Sequence, residues 1–550
     1  MKKTSISLVF LLLTAGVWAQ NLHPVVEVTN IYEREASGIE KPSQLLELPD
    51  SVLRFNLDFD YSVRTTPYQG AYEFKPYLVQ LHPQDRPSQE GTLFLNGGAG
   101  YGFHPELTAV WTPLRKDHLR LNLYGDTRSY MGYYRKMAIQ DKEVVADGLQ
   151  DDGGAESRSA VGANLLLDWV GGALVADLGY RNVYGSDPYG QFSHNILQFS
   201  GRVNGQGREA FTYDAGTRVT CMGVQDFRET HTVSQVNIGT HFGSQFLRMG
   251  VLAETVSHPE DYYGNISFTP RYLFSLGDFR FDLGVKLSFL YRSADDVCPH
   301  KPGYVFPDAR VTWELLPEVV TLYGAVTGGD HIQSYDSLLG KNAFLGSTLW
   351  YCRDKNLPFQ LDNSVERVNA SLGVRGNVAE RFHYDLKLGY QRYENAFTWG
   401  FPTDDTLIPL TGFFSGTLNT FYVNLDAGWK SERVDVGAQL YYGYTRVPEL
   451  NTPVEKHLFA PAPFRAQAHA QYNWGGRIRA GVDLDARSAM KSATATLPGY
   501  ADLGLNADLQ MTRILGFWLR VGNLLNQTVQ RVPFHAERGI YFTVGARLNF

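Results

Sequence analysis

The segment ERGIYFTVGARLNF, residues 537–550, alternates between apolar and polar side chains. One face of the extended chain carries the apolar set: Ile540, Phe542, Val544, Ala546, Leu548 and Phe550. The other face carries the polar set: Tyr541, Thr543, Arg547 and Asn549. A strand with one uninterrupted apolar face and one polar face is typical of a barrel whose exterior meets lipid and whose interior meets water. The segment therefore predicts a transmembrane strand of the outer-membrane type.

The amino terminus has the pattern of a secretory signal peptide. Residues 1–19 contain Lys2 and Lys3, then an apolar run, and end at Ala19 before a predicted cut ahead of Gln20. No cysteine follows this cut, so a lipid anchor is not expected. Beyond this segment we find no apolar run of the roughly 18 residues that a membrane helix requires. Any membrane span is therefore expected to be a β-strand, and the location is expected to be the outer membrane.

Composition agrees with one large β-barrel. The 550 residues include 54 Gly, 32 Tyr and 32 Phe, and the alternating pattern is not interrupted by a linker. The formal net charge of -7 and the absence of a basic stripe give no reason to expect nucleic acid. The cysteines, Cys221, Cys298 and Cys352, are odd in number, so at most one internal disulfide is expected. No cofactor motif is apparent.

Connections between the alternating segments are short at one end and long at the other, as in bacterial barrels with short periplasmic turns and long extracellular loops. With a tight first outer turn near residues 102–105, the pattern predicts an all-β, antiparallel transmembrane barrel of about 22 strands. Both ends of the barrel sequence are then expected at the periplasmic side. The terminal Phe550 is expected to act as the signal to the barrel assembly machinery. Outer-membrane lipid and lipopolysaccharide are the other expected partners.

Several interior strands alternate as cleanly as the last one, and their polar faces are expected to line the lumen. The predicted lumen-facing residues are Arg280, Asp282, Lys286, Arg292, His383, Asp385, Lys387, Arg477, Arg479, Asp483, Asp485, Arg487 and Arg547. A charge on the lipid side would cost roughly 2 to 4 kcal/mol at mid-bilayer, which forces this choice of face. A soluble β-sandwich also alternates, but its exposed faces would be polar.

The closing hairpin resembles that of the TonB-dependent receptors. The resemblance is carried by residues 517–526 (FWLRVGNLLN), residues 537–545 (ERGIYFTVG) and the terminal Phe550. In that family an Asn-Leu-x-Asn segment ends the penultimate strand, and an Arg followed by an aromatic residue precedes the final strand. The resemblance implies a 22-stranded barrel, and it extends loosely over residues 91–550.

The same family implies a folded plug of well over a hundred residues, and this chain departs from that pattern. Between the signal segment and the barrel, only residues 20–90 are left for an amino-terminal arm or a reduced plug. The stretch PVVEVT, residues 24–29, is only faintly similar to the segment with which such receptors bind their energising partner. The arm is rich in aromatic residues around Gly70 and Pro76, so it is expected to dock inside the barrel, on its rim or on a partner protein.

Two long loops are further candidates for closing the lumen. Residues 135–157 contain several carboxylates that could hold calcium or magnesium, although they lack the spacing of a helix-loop-helix calcium site, and a solvated acidic loop is the simpler interpretation. Residues 330–363 contain Trp350, Tyr351 and Cys352. If this loop and its neighbour fold over the mouth, Cys352 could pair with Cys298, whereas free thiols are the simpler expectation. Metal binding is left open.

A catalytic site has weak support in the sequence, and the chain is not expected to be an enzyme. Asp330 and His331 follow two glycines at an outer strand end, but no nucleophile accompanies them. The glycine-rich stretch at residues 97–102 leads into no helix, so it does not indicate a dinucleotide site. Glycine there is expected to relieve crowding or bend the sheet.

The sequence therefore favours an outer-membrane transport barrel, acting as a transporter or channel component. The alternative is a structural subunit of an envelope assembly or secretion complex, which would dock partners through the amino-terminal arm and the long loops. A hydrolase at the rim around Asp330 and His331 is the third hypothesis.

Overall fold

The structure is a computed structural model, which describes residues 92–101, 103–149, 154–188, 190–206, 211–259, 261–293, 303–356, 361–403, 406–450, 452–536 and 539–550. The expected signal segment and arm, residues 1–19 and 20–90, lie outside the described residues, as does Cys298. No helix among the described residues is long and apolar enough to cross a membrane.

The described chain is dominated by antiparallel strands. In order they are β1 (Leu93–Tyr101), β2 (Glu106–Lys116), β3 (Leu119–Gly132), β4 (Arg135–Gln140), β5 (Glu143–Leu149), β6 (Gly154–Trp169), β7 (Gly172–Asp187), β8 (Gly190–Gln206), β9 (Phe211–Val224), β10 (Phe227–Phe242), β11 (Gln245–Ser257), β12 (Tyr262–Leu276), β13 (Phe279–Arg292), β14 (Gly303–Leu316), β15 (Val320–Ile332), β16 (Asn363–Val378), β17 (Phe382–Gly400), β18 (Leu410–Lys430), β19 (Val434–Arg446), β20 (Phe464–Trp474), β21 (Ile478–Arg487), β22 (Met490–Lys491), β23 (Thr496–Leu497), β24 (Tyr500–Gln510), β25 (Leu515–Gly522) and β26 (Tyr541–Asn549). Two helices, α1 (Tyr335–Lys341) and α2 (Leu345–Asp354), and a short 3-10 helix at Val454–His457 interrupt this pattern.

A single 22-stranded sheet closes on itself, which confirms the predicted barrel. Each barrel strand pairs with its neighbours along the chain, and β1 completes the ring by pairing antiparallel with β26. Gly97 lies opposite Ala546 in this closing pair. Closure leaves the 22-stranded sheet without an edge strand, as a barrel in lipid requires. The tight turn predicted near residues 102–105 joins β1 to β2.

Large apolar side chains are exposed over the outside of the barrel strands. Examples, with their exposed fractions, are Val285 41%, Phe289 51%, Leu372 70%, Leu388 54% and Phe421 61%. In water such a surface would promote aggregation, whereas in a bilayer it matches the hydrocarbon core. The charged side chains next to them in sequence lie on the opposite face of the same strands because successive residues of a strand alternate. The fold is therefore that of a transmembrane barrel of the outer-membrane type.

The two ends of the barrel differ. At one end the strands are joined by short turns, such as that between β6 and β7. At the other, which we call the long-loop end, the connections carry the helices and a separate four-stranded sheet made of β4, β5, β22 and β23. The largest clusters of buried apolar side chains involve these connections. Among the described residues, the long-loop end thus contains the most extensive apolar packing.

Candidate functional site: the long-loop end of the barrel

The connection between β15 and β16, residues 333–362, is called the cap segment here; its residues 357–360 lie outside the described part. Helix α1 begins after Ser334, whose hydroxyl accepts a hydrogen bond from the Ser337 N–H at 3.1 Å. The Ser337 hydroxyl in turn accepts from the Ser334 N–H at 3.2 Å. This reciprocal capping satisfies two backbone donors at the start of the helix. A helix this short is marginal in isolation, so tertiary contacts must hold it.

Glu229 supplies the main polar contact of α1. Its two carboxylate oxygens accept hydrogen bonds from the backbone N–H groups of Tyr335, at 2.9 Å, and Asp336, at 3.1 Å. His258 Nε2 lies 3.1 Å from the same carboxylate. Glu229 is 2% exposed, so its charge needs these donors as well as the favourable helix dipole. The wall of the barrel, at β10, thus caps a helix that belongs to a loop.

Two arginines of the barrel wall contact the rest of α1. The Arg158 guanidinium on β6 donates to the carbonyl of Gly340 at 2.7 Å, near the last turn of the helix. Arg181 on β7 forms an ion pair with Asp336. Burial raises the pKa of Asp336 above its usual range, and the Arg181 charge opposes this shift. The helix is therefore held by polar groups at both of its ends.

An apolar core lies between the cap segment and the barrel wall. The buried cap residues are Tyr335, Leu338, Leu339, Ala343, Leu345 and Leu361. They pack with wall residues Val183, Phe192, Ile196, Met222, Val224, Val256 and Tyr263. Burying one Leu or Phe side chain stabilises by about 1.5–3 kcal/mol. Burial of these side chains therefore helps to keep the cap segment in place.

The cap segment also reaches other connections at the long-loop end. The Phe344 ring stacks on His535 with centroids 3.9 Å apart, and Tyr134 meets Phe344 edge-on at 5.4 Å. Ser347 in α2 donates to Asp187, whose carboxylate lies 3.7 Å from His535 Nε2. These contacts join the cap segment to β7 and to the connections that precede β4 and β26. The cap segment therefore lies across the end of the barrel.

A second apolar core ties the remaining connections together. It contains Val144, Phe401, Phe459, Ala462, Met490, Ala495, Leu497 and Phe534, which come from five different connections. The sheet of β4, β5, β22 and β23 covers part of this core, and the residues of β22 and β23 lie far from β5 in sequence. The long loops thus form one folded layer.

Several predicted lumen residues have ion-pair or hydrogen-bond partners on the face opposite the exposed apolar side chains. Arg280 pairs with Glu314 at 2.7 Å, and Asp282 pairs with Arg271, which also contacts Asp308. The remaining contacts are Arg292 to Asp362 at 3.3 Å, His383 to Asp426 at 3.4 Å, Tyr323 to Asp385 at 2.5 Å, Asn506 to Asp483 at 2.5 Å and Arg547 to Asp508 at 3.3 Å. Four of these predicted residues thus lie within ion-pair distance of an opposite charge: Arg280, Asp282, Arg292 and Arg547.

The other predicted lumen residues line clefts or contact loops. Lys387 shares a polar cleft with His383 and Asp385, and Arg477 and Arg479 line a smaller one with Arg547. Three residues remain: the Lys286 amine lies against Gly329, Asp485 lies 3.6 Å from Arg531, and Arg487 donates to the carbonyl of Gln530 at 3.0 Å. The predicted set is thus spread around the wall rather than gathered in one site.

The closing seam of the barrel contains a tryptophan fitted against glycines. Trp518, 5% exposed, donates from Nε1 to the Asn96 side chain at 2.7 Å. A Cβ atom on Gly98 would lie 2.5 Å from this ring, and one on Gly545 would lie 2.2 Å from it. The glycine-rich stretch of β1 therefore relieves crowding, as the sequence suggested. Phe550 extends the seam, because its N–H donates to the Leu93 carbonyl at 2.8 Å.

Asp330 and His331 have separate partners. Asp330, 8% exposed, accepts from Ser288 and from Asn265, whereas His331 lies 3.9 Å from Glu366. The described residues contain no group of three or more His, Cys, Asp or Glu side chains that could hold a metal ion. Cys221 is exposed and Cys352 is buried, both as free thiols, and burial raises the pKa of Cys352.

Sequence reasoning missed α1 and α2. The pattern Ser334-x-x-Ser337 followed by Leu338 and Leu339 is a helix-start signal that could have located α1. Nothing in the sequence could have identified Glu229, because its partner helix lies far along the chain.

Solved structures with a similar fold include metal transporters and a ferric-catecholate import receptor. The FrpB iron transporter from Neisseria meningitidis superposes with a TM-score of 0.64 at 10% identity, over 84% of this chain and 81% of that one. The copper transporter OprC gives 0.59 at 10% identity, over 83% and 80%. The ferric-catecholate import receptor Fiu from Escherichia coli K12 gives 0.59 at 10% identity, over 84% and 82%. At such identities the likeness establishes the fold alone.

Comparison of the sequence with family models and with curated proteins found no match. The class to which the chain is assigned therefore rests on architecture: a closed 22-stranded barrel similar to outer-membrane receptors.

Proposed function

We propose that this protein is an outer-membrane transport barrel whose long-loop end faces the cell exterior and is closed by the cap segment. The observation that carries the proposal is the packing of that segment: Tyr335, Leu338 and Leu345 are completely buried against the barrel wall. A barrel of 22 strands encloses a lumen wide enough to need a closure. The iron and copper transporters that share the fold support a role in transport.

In this proposal the charged face of the strands lines the lumen. The pairs formed by Arg280 with Glu314 and by Arg271 with Asp282 put both signs of charge on that face. A wall of paired charges would be hydrated without strongly favouring cations or anions. Individual sites at which a charge has no partner would then decide which solutes bind.

In this proposal the amino-terminal arm, residues 20–90, either closes the other end of the lumen or docks on a partner protein. Energised import, as in the TonB-dependent receptors that the closing hairpin resembles, would need a partner to act through this arm. Lipopolysaccharide would surround the long-loop end, and Phe550 would guide insertion by the assembly machinery. These assignments rest on the sequence resemblance.

A structural subunit of an envelope complex is the second candidate. It is favoured by the extent of the loop layer, in which five connections share the core around Phe401, Phe459 and Phe534. So large a folded surface could bind a partner protein instead of acting as a gate. The two candidates differ in whether opening the cap segment lets ions pass.

Planar-bilayer conductance tests the transport proposal. Four proteins are compared: the intact protein, a variant in which a short Gly-Ser linker replaces residues 334–361, a variant lacking residues 20–90, and the double variant. We expect the intact protein to be silent and the double variant to conduct strongly. A single deletion that conducts identifies a closure that is required to seal the barrel, whereas a single deletion that stays silent shows that the remaining closure suffices. A silent but correctly folded double variant would exclude transport and favour the structural subunit, which co-purification of partners after mild extraction would then test.

A further inference from the structure

Two arginines lie directly opposite each other on neighbouring strands near the long-loop end. Arg465, near the start of β20, is the register partner of Arg487, which ends β21. Side chains at such positions have Cβ atoms about 4.5–5.5 Å apart, and like charges there destabilise the sheet. Arg487 in turn lies opposite Tyr500 on β24. The repulsion between these two arginines must therefore be offset by another interaction.

The surrounding carboxylates are already engaged elsewhere. Asp485 lies 3.6 Å from Arg531 and accepts hydrogen bonds from Tyr500 at 3.3 Å and Gln467 at 3.5 Å. Asp502 forms an ion pair with Arg531. The carboxylates of Asp485 and Asp502 are therefore paired with Arg531, which leaves the positive charge of the Arg465 and Arg487 pair uncompensated.

The guanidinium groups of the pair keep unused donors. Arg487 donates to the Gln530 carbonyl at 3.0 Å and lies 5.1 Å from the centroid of the Tyr500 ring, yet its Nε–H is buried with no acceptor. Within the described residues the exposed Arg465 guanidinium forms no ion pair. A buried donor without an acceptor costs about 1–3 kcal/mol, and more when the group is charged. A ligand that accepts from both arginines would remove both this cost and the repulsion.

We propose that Arg465 and Arg487 form a binding site for an oxyanion, the carboxylate or phosphate group of a soluble ligand inside the barrel. Guanidinium groups present planar forks of donors that match both oxyanions, and charge-assisted hydrogen bonds of this kind are the strong ones. The Arg487 guanidinium lies over the Tyr500 ring, and this cation–π contact helps to hold it in position. The inference rests on the proposed function only for the assignment of this face to the lumen.

Phosphorus NMR tests the site without requiring transport. Inorganic phosphate is titrated with the full-length protein in dodecyl maltoside, and its line broadening is measured, with citrate as a carboxylate competitor. We expect broadening by the wild type, displacement by citrate, and affinity weakened about tenfold or more in R465Q and R487Q. The control R433Q removes the same charge from a turn at the opposite end of the barrel and is expected to bind normally. Arg465 is exposed, so R465Q remains informative if R487Q disturbs folding.

Absence of broadening with wild type would overturn the inference, as would equal broadening with the R465Q/R487Q double variant or an equal loss with R433Q. Failure of the site and failure of the proposed function remain distinguishable. A barrel that conducts after deletion of its closures but does not bind phosphate keeps the transport proposal and loses the site. A barrel that binds phosphate but never conducts keeps the site and loses transport.

Discussion

The carboxylate of Glu229 accepts a hydrogen bond from the backbone N–H of Tyr335 at 2.9 Å, although 106 positions separate the two residues in sequence. This contact joins a barrel strand to the first turn of a loop helix. Both groups are buried, so the bond depends on the cap segment being in place. It is therefore a direct probe of whether the cap segment opens.

Replacing Glu229 with Gln is expected to loosen the cap segment. The amide keeps one acceptor oxygen but places an N–H₂ group against a helix N–H and removes the charge that faces the helix dipole. The expected loss is about 1–3 kcal/mol of local stability. Hydrogen exchange should show faster exchange of the amides of α1. Glu432→Gln, in a short turn at the far end, is the matched control, and equal exchange in both variants would contradict this account.

Replacing Leu338 with Ala should open the cap segment further. Leu338 is 0% exposed, and removing such a side chain costs about 2–5 kcal/mol. The readout is maleimide labelling of the buried Cys352 in a background in which Cys221 and Cys298 are Ser. Labelling should accelerate in L338A because the thiol becomes accessible and ionises more readily. Leu372→Ala, on the exposed outer face, should label as slowly as the parent, and matching rates would rule out the cap core as the barrier.

The closing seam is expected to limit the heat resistance of the barrel. Trp518→Ala removes a buried ring and its hydrogen bond to Asn96, which should cost about 3–5 kcal/mol. The temperature at which the folded band disappears in semi-native electrophoresis should fall. The neighbouring Phe517, 42% exposed on the other face, gives the control Phe517→Ala. If the two variants melted together, the seam would have no special role.

A charge on the outer face should impair assembly. Val285 lies near the middle of β13 and is 41% exposed. Val285→Arg is expected to cost roughly 2–4 kcal/mol if this position meets the bilayer midplane. The yield of folded protein in the outer-membrane fraction should drop, while Val285→Leu should assemble normally. Normal assembly of the arginine variant would mean that this face does not meet lipid.

The barrel could be predicted because its signal is local and repeated. In β13, Phe279, Val285 and Phe289 share one face with period two, and a lipid exterior imposes that rule on every strand. The face of each strand that meets lipid can therefore be predicted from that strand's sequence alone. The closing pair of β1 with β26 follows once the strand number is known.

The contacts between side chains at the long-loop end could not be predicted from the sequence in the same way. The side chains of Glu229 and His535 gain their partners only when distant connections fold together, and no periodic rule links such positions. The same holds for Arg465 and Arg487, whose opposition depends on strand register. The sequence thus determined the barrel, because the bilayer imposes the same alternation on every strand. Only the tertiary structure decided how the long loops pack, because that packing depends on side chains that meet across long separations in the chain.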